Sequence, residues 1–160
     1  MHSRAYELFG EMLNAHARGE ALEVLDVGSL DLNGTLRPLI EERGWKYTGL
    51  DVISGANVDV VALDGYAYDF AAESFDLVIS NATIEHVEQP WIWIIELARV
   101  MRRGGRLIIM GPIDMPYHGT PIDCWRVMPD GMRFLFRLAS LRTIEVNSDG
   151  TYCWGVATKG

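Results

Sequence analysis

FDLVISNATIEHVEQPWIWIIELARVMRRGGRLIIMGP, residues 75–112, reads as strand, turn, helix and strand without interruption. FDLVISN, residues 75–81, is a continuous apolar run bounded by polar residues, the pattern of a strand buried on both faces. Pro90 stands where the first helical turn tolerates proline, and Ile94, Ile95, Ala98 and Met101 supply an apolar face. Arg102, Arg103, Gly104 and Gly105 are expected to close this helix, with Arg99, Arg102, Arg103 and Arg106 clustered where cations complement the helix dipole. RLIIMG, residues 106–111, is the next strand. Two strands joined through a helix are parallel, because parallel strands need a crossover connection.

The same alternation extends outward in both directions. Upstream, Ala5, Leu8, Phe9, Met12 and Leu13 recur at helical spacing and predict an amphipathic helix over residues 3–18. ALEVLDVG (21–28), KYTGLDV (46–52) and NVDVVAL (57–63) read as strands, with a helix over 35–43 that Gly44 stops. Downstream, residues 129–139 read as a helix. LRTIEVN (141–147) and YCWGVATK (152–159) flank the turn Ser148, Asp149, Gly150 as a hairpin that adds one antiparallel strand. Strands alternating with helices give an α/β fold, a mostly parallel seven-stranded sheet covered by helices on both faces.

A chain of 160 residues that is 49% hydrophobic and 22% charged has the size of one domain, expected over 1–160 and able to bury roughly two thirds of the surface its unfolded form exposes. The net charge of −8 opposes a phosphate backbone, so nucleic acid is not a favoured partner. No apolar run approaches the ~20 residues of a membrane span, and MHSRAYELFGEM lacks the order of regions of a signal peptide, so a cytoplasmic protein is expected. Cys124 and Cys153 form no CxxC pair and are expected to be buried thiols. His2, His16, His86 and His118 are scattered, so no metal site is expected.

In open sheets of this kind ligands bind beyond the carboxyl ends of the strands, where the strand order reverses. The ends in question are Asp26 to Leu30, Asp51 with Val52, Asp64 with Gly65, and Ser80 to Thr83. Gly28 permits a sharp turn and a close approach of backbone to ligand. A carboxylate at the end of the second strand, Asp51, can accept from both hydroxyls of a ribose.

These residues resemble the class I S-adenosylmethionine-dependent methyltransferases over nearly the whole chain. VLDVGS (24–29) is similar to the family's first glycine motif, YTGLDV (47–52) to its second, and the 75–112 block to its central segment. The resemblance implies a Rossmann-like three-layer sandwich and S-adenosylmethionine as cofactor. By position, Asp26, Gly28 and Ser29 would frame the methionine end of the cofactor, and Asp51 with Val52 the ribose. Asp64, Gly65 and Tyr66 would lie beside the adenine, with Asn81 at the sulfonium end facing the acceptor. One departure stands out. The family's glycines lie close together, whereas Gly28 is followed by Ser29, Leu30, Asp31, Leu32 and Asn33 before Gly34, so the turn must take another path. A DVGS…NG motif of this form is similar to a small bacterial-type branch, methyltransferase type 11.

GPIDMPYHGTPIDCWRVMP, residues 111–129, is a long proline-rich connection positioned to fold over the cofactor mouth. HGTPIDCWR within it resembles an HxxPxDxWR signature of the same branch. His118 is the candidate general base or acceptor contact, with Asp114 and Tyr117 nearby and His86 of the EHV turn as a second candidate. Asp123 and Arg126 are expected to pair and hold the loop, with Trp125 packed beneath it. Methyl transfer requires alignment, exclusion of water and sometimes removal of a proton, but no metal. The expected activity is in-line transfer of the sulfonium methyl group to a small-molecule or sugar-type acceptor. Two alternatives remain. A non-catalytic protein could keep the fold to bind the cofactor or a partner, and a nicotinamide dehydrogenase would share the early layout, although its GxGxxG fingerprint falls here on Gly28, Leu30 and Asn33.

Overall fold

The structure, a computed structural model, describes residues 3–119 and 121–160; His2 lies outside the described residues. Side chains alternate across each strand, and this divides the core into two layers. Val24, Leu77, Ile79, Ile108 and Met110 face Phe9, Met12 and Leu13 of α1 (Ser3–His16) and Ile40 of α2 (Arg37–Glu41). Their neighbours Leu25, Val27, Val78, Leu107 and Ile109 face Trp93, Ile94 and Leu97 of α3 (Pro90–Val100) and Met132 and Phe136 of α4 (Pro129–Leu138).

The strands are β1 (Glu23–Val27), β2 (Lys46–Asp51), β3 (Val60–Val61), β4 (Phe75–Asn81), β5 (Met101–Pro112), β6 (Leu141–Ser148) and β7 (Tyr152–Lys159). They form one sheet in the order β3-β2-β1-β4-β5-β7-β6. The pairs among β1 to β5 are parallel, and β7 is antiparallel to both β5 and β6. The hairpin therefore contributes a single reversed strand to a Rossmann-like three-layer sandwich, as its turn signal implied.

Five expectations are corrected. The RRGG segment does not close a helix. α3 stops at Val100, Met101 turns extended with ψ 135° and pairs with Phe75, and Arg102 binds Asp76 at 2.6 Å. Gly105 is required there because a Cβ would lie 2.8 Å from the Arg102 carbonyl oxygen. The arginine cluster is likewise dispersed: Arg99 chelates Glu96 and donates to the Tyr68 and Phe70 carbonyls, while Arg106 donates to Thr158. Within α3 Ile95 faces solvent, and Met101, beyond the helix end, is buried in the strand.

The second helix spans only Arg37–Glu41, since the Thr35 hydroxyl accepts the Arg37 N–H at 3.0 Å before the helix begins. The third strand shrinks to Val60–Val61, preceded by Asn57 in the left-handed region at φ 70°, and Leu63 is fully exposed. Cys124 is exposed, whereas Cys153 is buried as expected. Among the described residues no helix is long and apolar enough to cross a membrane.

Candidate active site

β1 leads to β2 and β3 on one side of the sheet, and β4 leads to β5 on the other, so the order reverses between β1 and β4. Polar bonds join the two strand ends. The Ser80 hydroxyl donates to the Val27 carbonyl at 2.7 Å, and the N–H groups of Gly28 and Ser29 both donate to the Leu50 carbonyl. Gly28 turns the chain at φ 81°, and a Cβ there would lie 2.0 Å from the Thr83 hydroxyl oxygen. The glycine is thus needed for two reasons: a backbone conformation that other residues rarely adopt, and the close packing of the β1 turn on the β4 turn.

A cavity of about 680 Å³ opens at this crevice, within the range of small-molecule sites. The irregular Ser29–Leu36 segment forms one wall instead of filling the space, held by Asn57, whose side-chain amide donates to the Ser29 carbonyl at 2.8 Å. Asp26, Ser29 and Asn81 line the cavity on the side of β1 and β4. Glu85, His86 and His118 line it on the side of the proline-rich loop. Ser29 Oγ, Asn81 Oδ1 and Glu85 Oε2 are buried without a hydrogen-bond partner among the described residues. Buried polar atoms are seldom left so. Ser29 Oγ and Asn81 Oδ1, on the wall of β1 and β4, are what a polar ligand would satisfy, and this fits the ammonium and hydroxyl groups of S-adenosylmethionine.

Asp26 is a strongly perturbed group of the wall. Burial raises its pKa to about 7 against the hydrogen bond from Tyr47, whose hydroxyl donates to Asp26 Oδ2 at 2.5 Å. The Tyr47 oxygen accepts in turn from Asn57 at 2.8 Å, and burial pushes its own titration upward. The folded protein therefore holds the Asp26 proton more tightly than the unfolded chain. This stability is complete at low pH and is lost as pH rises from about 4 through about 7. Asp26→Asn, neutral at every pH and still an acceptor for Tyr47, should be more stable than wild type by up to about 4 kcal/mol at pH 8 and little different at pH 4. Thermal melts across that range test this; a constant difference would remove Asp26 as the titrating group.

The loop after β5 is fastened to the 3₁₀ turn Ile84–His86. The Glu85 carbonyl accepts the Cys124 N–H at 2.7 Å and the Trp125 N–H at 3.3 Å, and the Trp125 indole donates to the Val87 carbonyl at 2.9 Å. Trp125 also meets Trp91 edge-on, with ring centroids 6.0 Å apart, yet stays partly exposed. Arg126 chelates Asp123 at 2.5 and 2.8 Å and donates to the Met115 and Pro116 carbonyls. That guanidinium, with the His118 N–H, holds the Asp123 carboxyl well below the usual carboxylate range. The expected Asp123–Arg126 anchor is present.

The anchored loop brings His118 to His86, ring centroids 5.1 Å apart and edge to face. His118 Nδ1 lies 3.0 Å from the Pro116 carbonyl oxygen, and His86 Nδ1 contacts that of Ile122. A carbonyl only accepts, so Nδ1 is the donor in each contact, and each ring turns its Nε2 toward Glu85. Those Nε2 atoms lie 3.8 Å (His86) and 3.9 Å (His118) from Glu85 Oε1. Burial raises the Glu85 pKa.

The residues read from sequence fall into three groups. Asp26, Gly28, Ser29, Asn81, His86 and His118 meet at the cavity. Asp51, Val52, Asp64, Gly65 and Tyr66 lie at the adjoining ends of β2 and β3, outside the cavity lining, where Asp51 accepts the N–H groups of Leu30 and Ile53 and Asp64 accepts that of Tyr66. Asp114 and Tyr117 are exposed and line no part of the cavity. Glu85 carries no role in the reading of the sequence. Its signal was a carboxylate between Ile84 and His86 just after a buried strand, a position where an unpaired acid is costly. The loop also closes the sequence gap between His86 and His118 and sets their rings side by side.

The methyltransferase domain family matches residues 25–109, and the chain belongs to it, as a class I S-adenosylmethionine-dependent methyltransferase whose family cofactor is S-adenosylmethionine. Similar proteins include the ubiquinone/menaquinone biosynthesis C-methyltransferase UbiE of Rhizobium meliloti, 33% identical over 98 residues, 60% of this chain and 36% of that one. The ubiquinone biosynthesis O-methyltransferase of Agrobacterium fabrum is 29% identical over 118 residues, 66% of this chain and 46% of that one. The chain thus spans less than half the length of these relatives. Among solved structures, the fold is shared by the Burkholderia thailandensis 1,6-didemethyltoxoflavin-N1-methyltransferase with bound S-adenosylhomocysteine, with TM-score 0.77, 18% identity, and coverage of 97% of this chain and 78% of that one.

Proposed function

We propose that this chain transfers the methyl group of S-adenosylmethionine to a small-molecule acceptor bound between Asn81 and the Glu85, His86, His118 cluster. The observation that carries the reading is the cavity at the β1/β4 crevice, with unpartnered Ser29 Oγ and Asn81 Oδ1 on one wall and the imidazoles of His86 and His118 on another. The cofactor, when bound, supplies an activated sulfonium methyl group. Asp26 offers its carboxylate to the ammonium group. Asp51 is assigned to the ribose, with Val52 beside it, and Asp64, Gly65 and Tyr66 to the adenine. On the acceptor side His118 Nε2 is placed to take the proton that a hydroxyl or amine gives up as it is methylated, so the products are S-adenosylhomocysteine and the methylated acceptor.

The names of the similar quinone methyltransferases favour a phenolic or enolic ring acceptor over a sugar. Two unpaired thiols, one of them exposed, suit a reducing compartment such as the cytoplasm. Calorimetry with S-adenosylhomocysteine, followed by assay of methyl transfer to dihydroxyaromatic acceptors, tests the reading. Absence of cofactor binding would overturn it, and binding without transfer to any acceptor would favour the non-catalytic alternative. His118→Ala should lower turnover about a hundredfold or more, with cofactor affinity nearly intact. Unchanged turnover would remove His118 from the chemistry.

A further inference from the structure

We propose that Glu85, His86 and His118 form a divalent-cation site of the zinc type on the acceptor wall of the cavity. Three observations converge on it. The candidate ligand atoms, one carboxylate oxygen and two imidazole nitrogens, fall within 4.8 Å of one another. A tetrahedral zinc ion at ~2.0–2.2 Å from each would draw such atoms to about 3.4 Å apart. The two Glu85 Oε1 to Nε2 distances, 3.8 and 3.9 Å, exceed that by only a few tenths of an ångström.

The second observation is the state of the ligands. Each imidazole is oriented through Nδ1 by a backbone carbonyl, Ile122 for His86 and Pro116 for His118, and His118 has Asp123 Oδ2 a further 3.3 Å from the same nitrogen. Metal-bound histidines are held in this way, with the outer nitrogen donating to a carbonyl or carboxylate and the inner lone pair left for the ion. The third is Glu85 itself, whose side chain is 2% exposed and whose Oε2 has no partner among the described residues. Its Oε1 faces the two Nε2 atoms at 3.8 and 3.9 Å, beyond hydrogen-bond distance of either, so a cation held between the three would bind all of them.

The surrounding charge agrees with this. Arg126 pairs with Asp123 and not with Glu85, so its guanidinium does not occupy the place proposed for the ion. Three protein ligands with one position open to the cavity is the arrangement of a catalytic zinc site. Combined with the proposed function, it defines the acceptor class as one presenting a hydroxyl, or two adjacent oxygens, to the ion. The ion would take the place of a base by lowering the pKa of the bound hydroxyl, whose proton leaves to solvent before the oxygen is methylated.

The experiment titrates the metal-depleted full chain with Co²⁺ and follows its visible absorption, with Zn²⁺ competing, in the absence of cofactor. The expected result is one tight site per chain with a four- or five-coordinate spectrum, reversed by Zn²⁺ and weakened at least tenfold in both His118→Ala and Glu85→Gln. S-adenosylhomocysteine binding serves as the control that these variants fold. No saturable Co²⁺ binding, or binding unchanged in both folded variants, would overturn the proposal. Methyl transfer that persists without metal binding leaves the methyltransferase reading standing and removes only the ion, whereas metal binding without cofactor binding does the reverse.

Discussion

Gly28→Ala is expected to destabilise the fold by about 2–5 kcal/mol, the sum of a left-handed backbone cost of ~1–2 kcal/mol and overpacking of ~1–3 kcal/mol. The residue sits at φ 81°, and an added Cβ would lie 2.0 Å from Thr83 Oγ1, 2.5 Å from Cγ2 and 2.8 Å from Cβ. Rotating the threonine cannot relieve the last contact, so the β1 and β4 turns must part. Denaturant melts measure the loss. The double variant with Thr83→Gly separates its parts: the steric share should return, while the backbone share of ~1–2 kcal/mol stays. A single variant as stable as wild type would mean that the two turns do not pack as described.

The second large effect is on affinity. Asp51→Ala should weaken S-adenosylhomocysteine binding about a hundredfold, since hydrogen bonds from two ribose hydroxyls to a carboxylate are together worth about 3 kcal/mol. Asp51 also accepts the Leu30 and Ile53 N–H groups at 3.0 and 3.1 Å, so part of any loss could come from a displaced cavity wall. Comparing the affinity for adenosine with that for methionine divides the two causes. Loss confined to adenosine assigns Asp51 to the ribose, and wild-type affinity for S-adenosylhomocysteine would end that assignment.

What the sequence made legible follows from the range of the forces involved. Strands β4 and β7 and the start of α3 lie where apolar runs, Pro90 and the Ser148–Gly150 turn place them, because burial on both faces and turn chemistry are written locally. The end of α3 was misread because a strand partner, Phe75, and an ion pair from Asp76 draw Met101 and Arg102 out of the helix, and neither partner is visible from the RRGG motif itself. In the site the same division holds. Asp26, Gly28 and Asn81 follow from strand ends alone. Glu85 becomes meaningful only when the loop from Pro112 to Val127 folds back and delivers His118 to it, through backbone bonds from Cys124 and Trp125 that no side-chain pattern announces.

Arg37 has no atom on the cavity wall. It lies over the Tyr47 ring at 4.2 Å, donates to Asn57 Oδ1 at 2.7 Å and pairs with Asp59 at 2.7 Å, while its positive charge lowers the pKa of Asp26 against the effect of burial. An outer ion pair of this kind would ordinarily be counted as interchangeable surface. Here Asn57 and Asp59 reach the Asp26 carboxylate through Arg37 and Tyr47, so substitutions at 37, 47, 57 and 59 are expected to be non-additive in their effect on it.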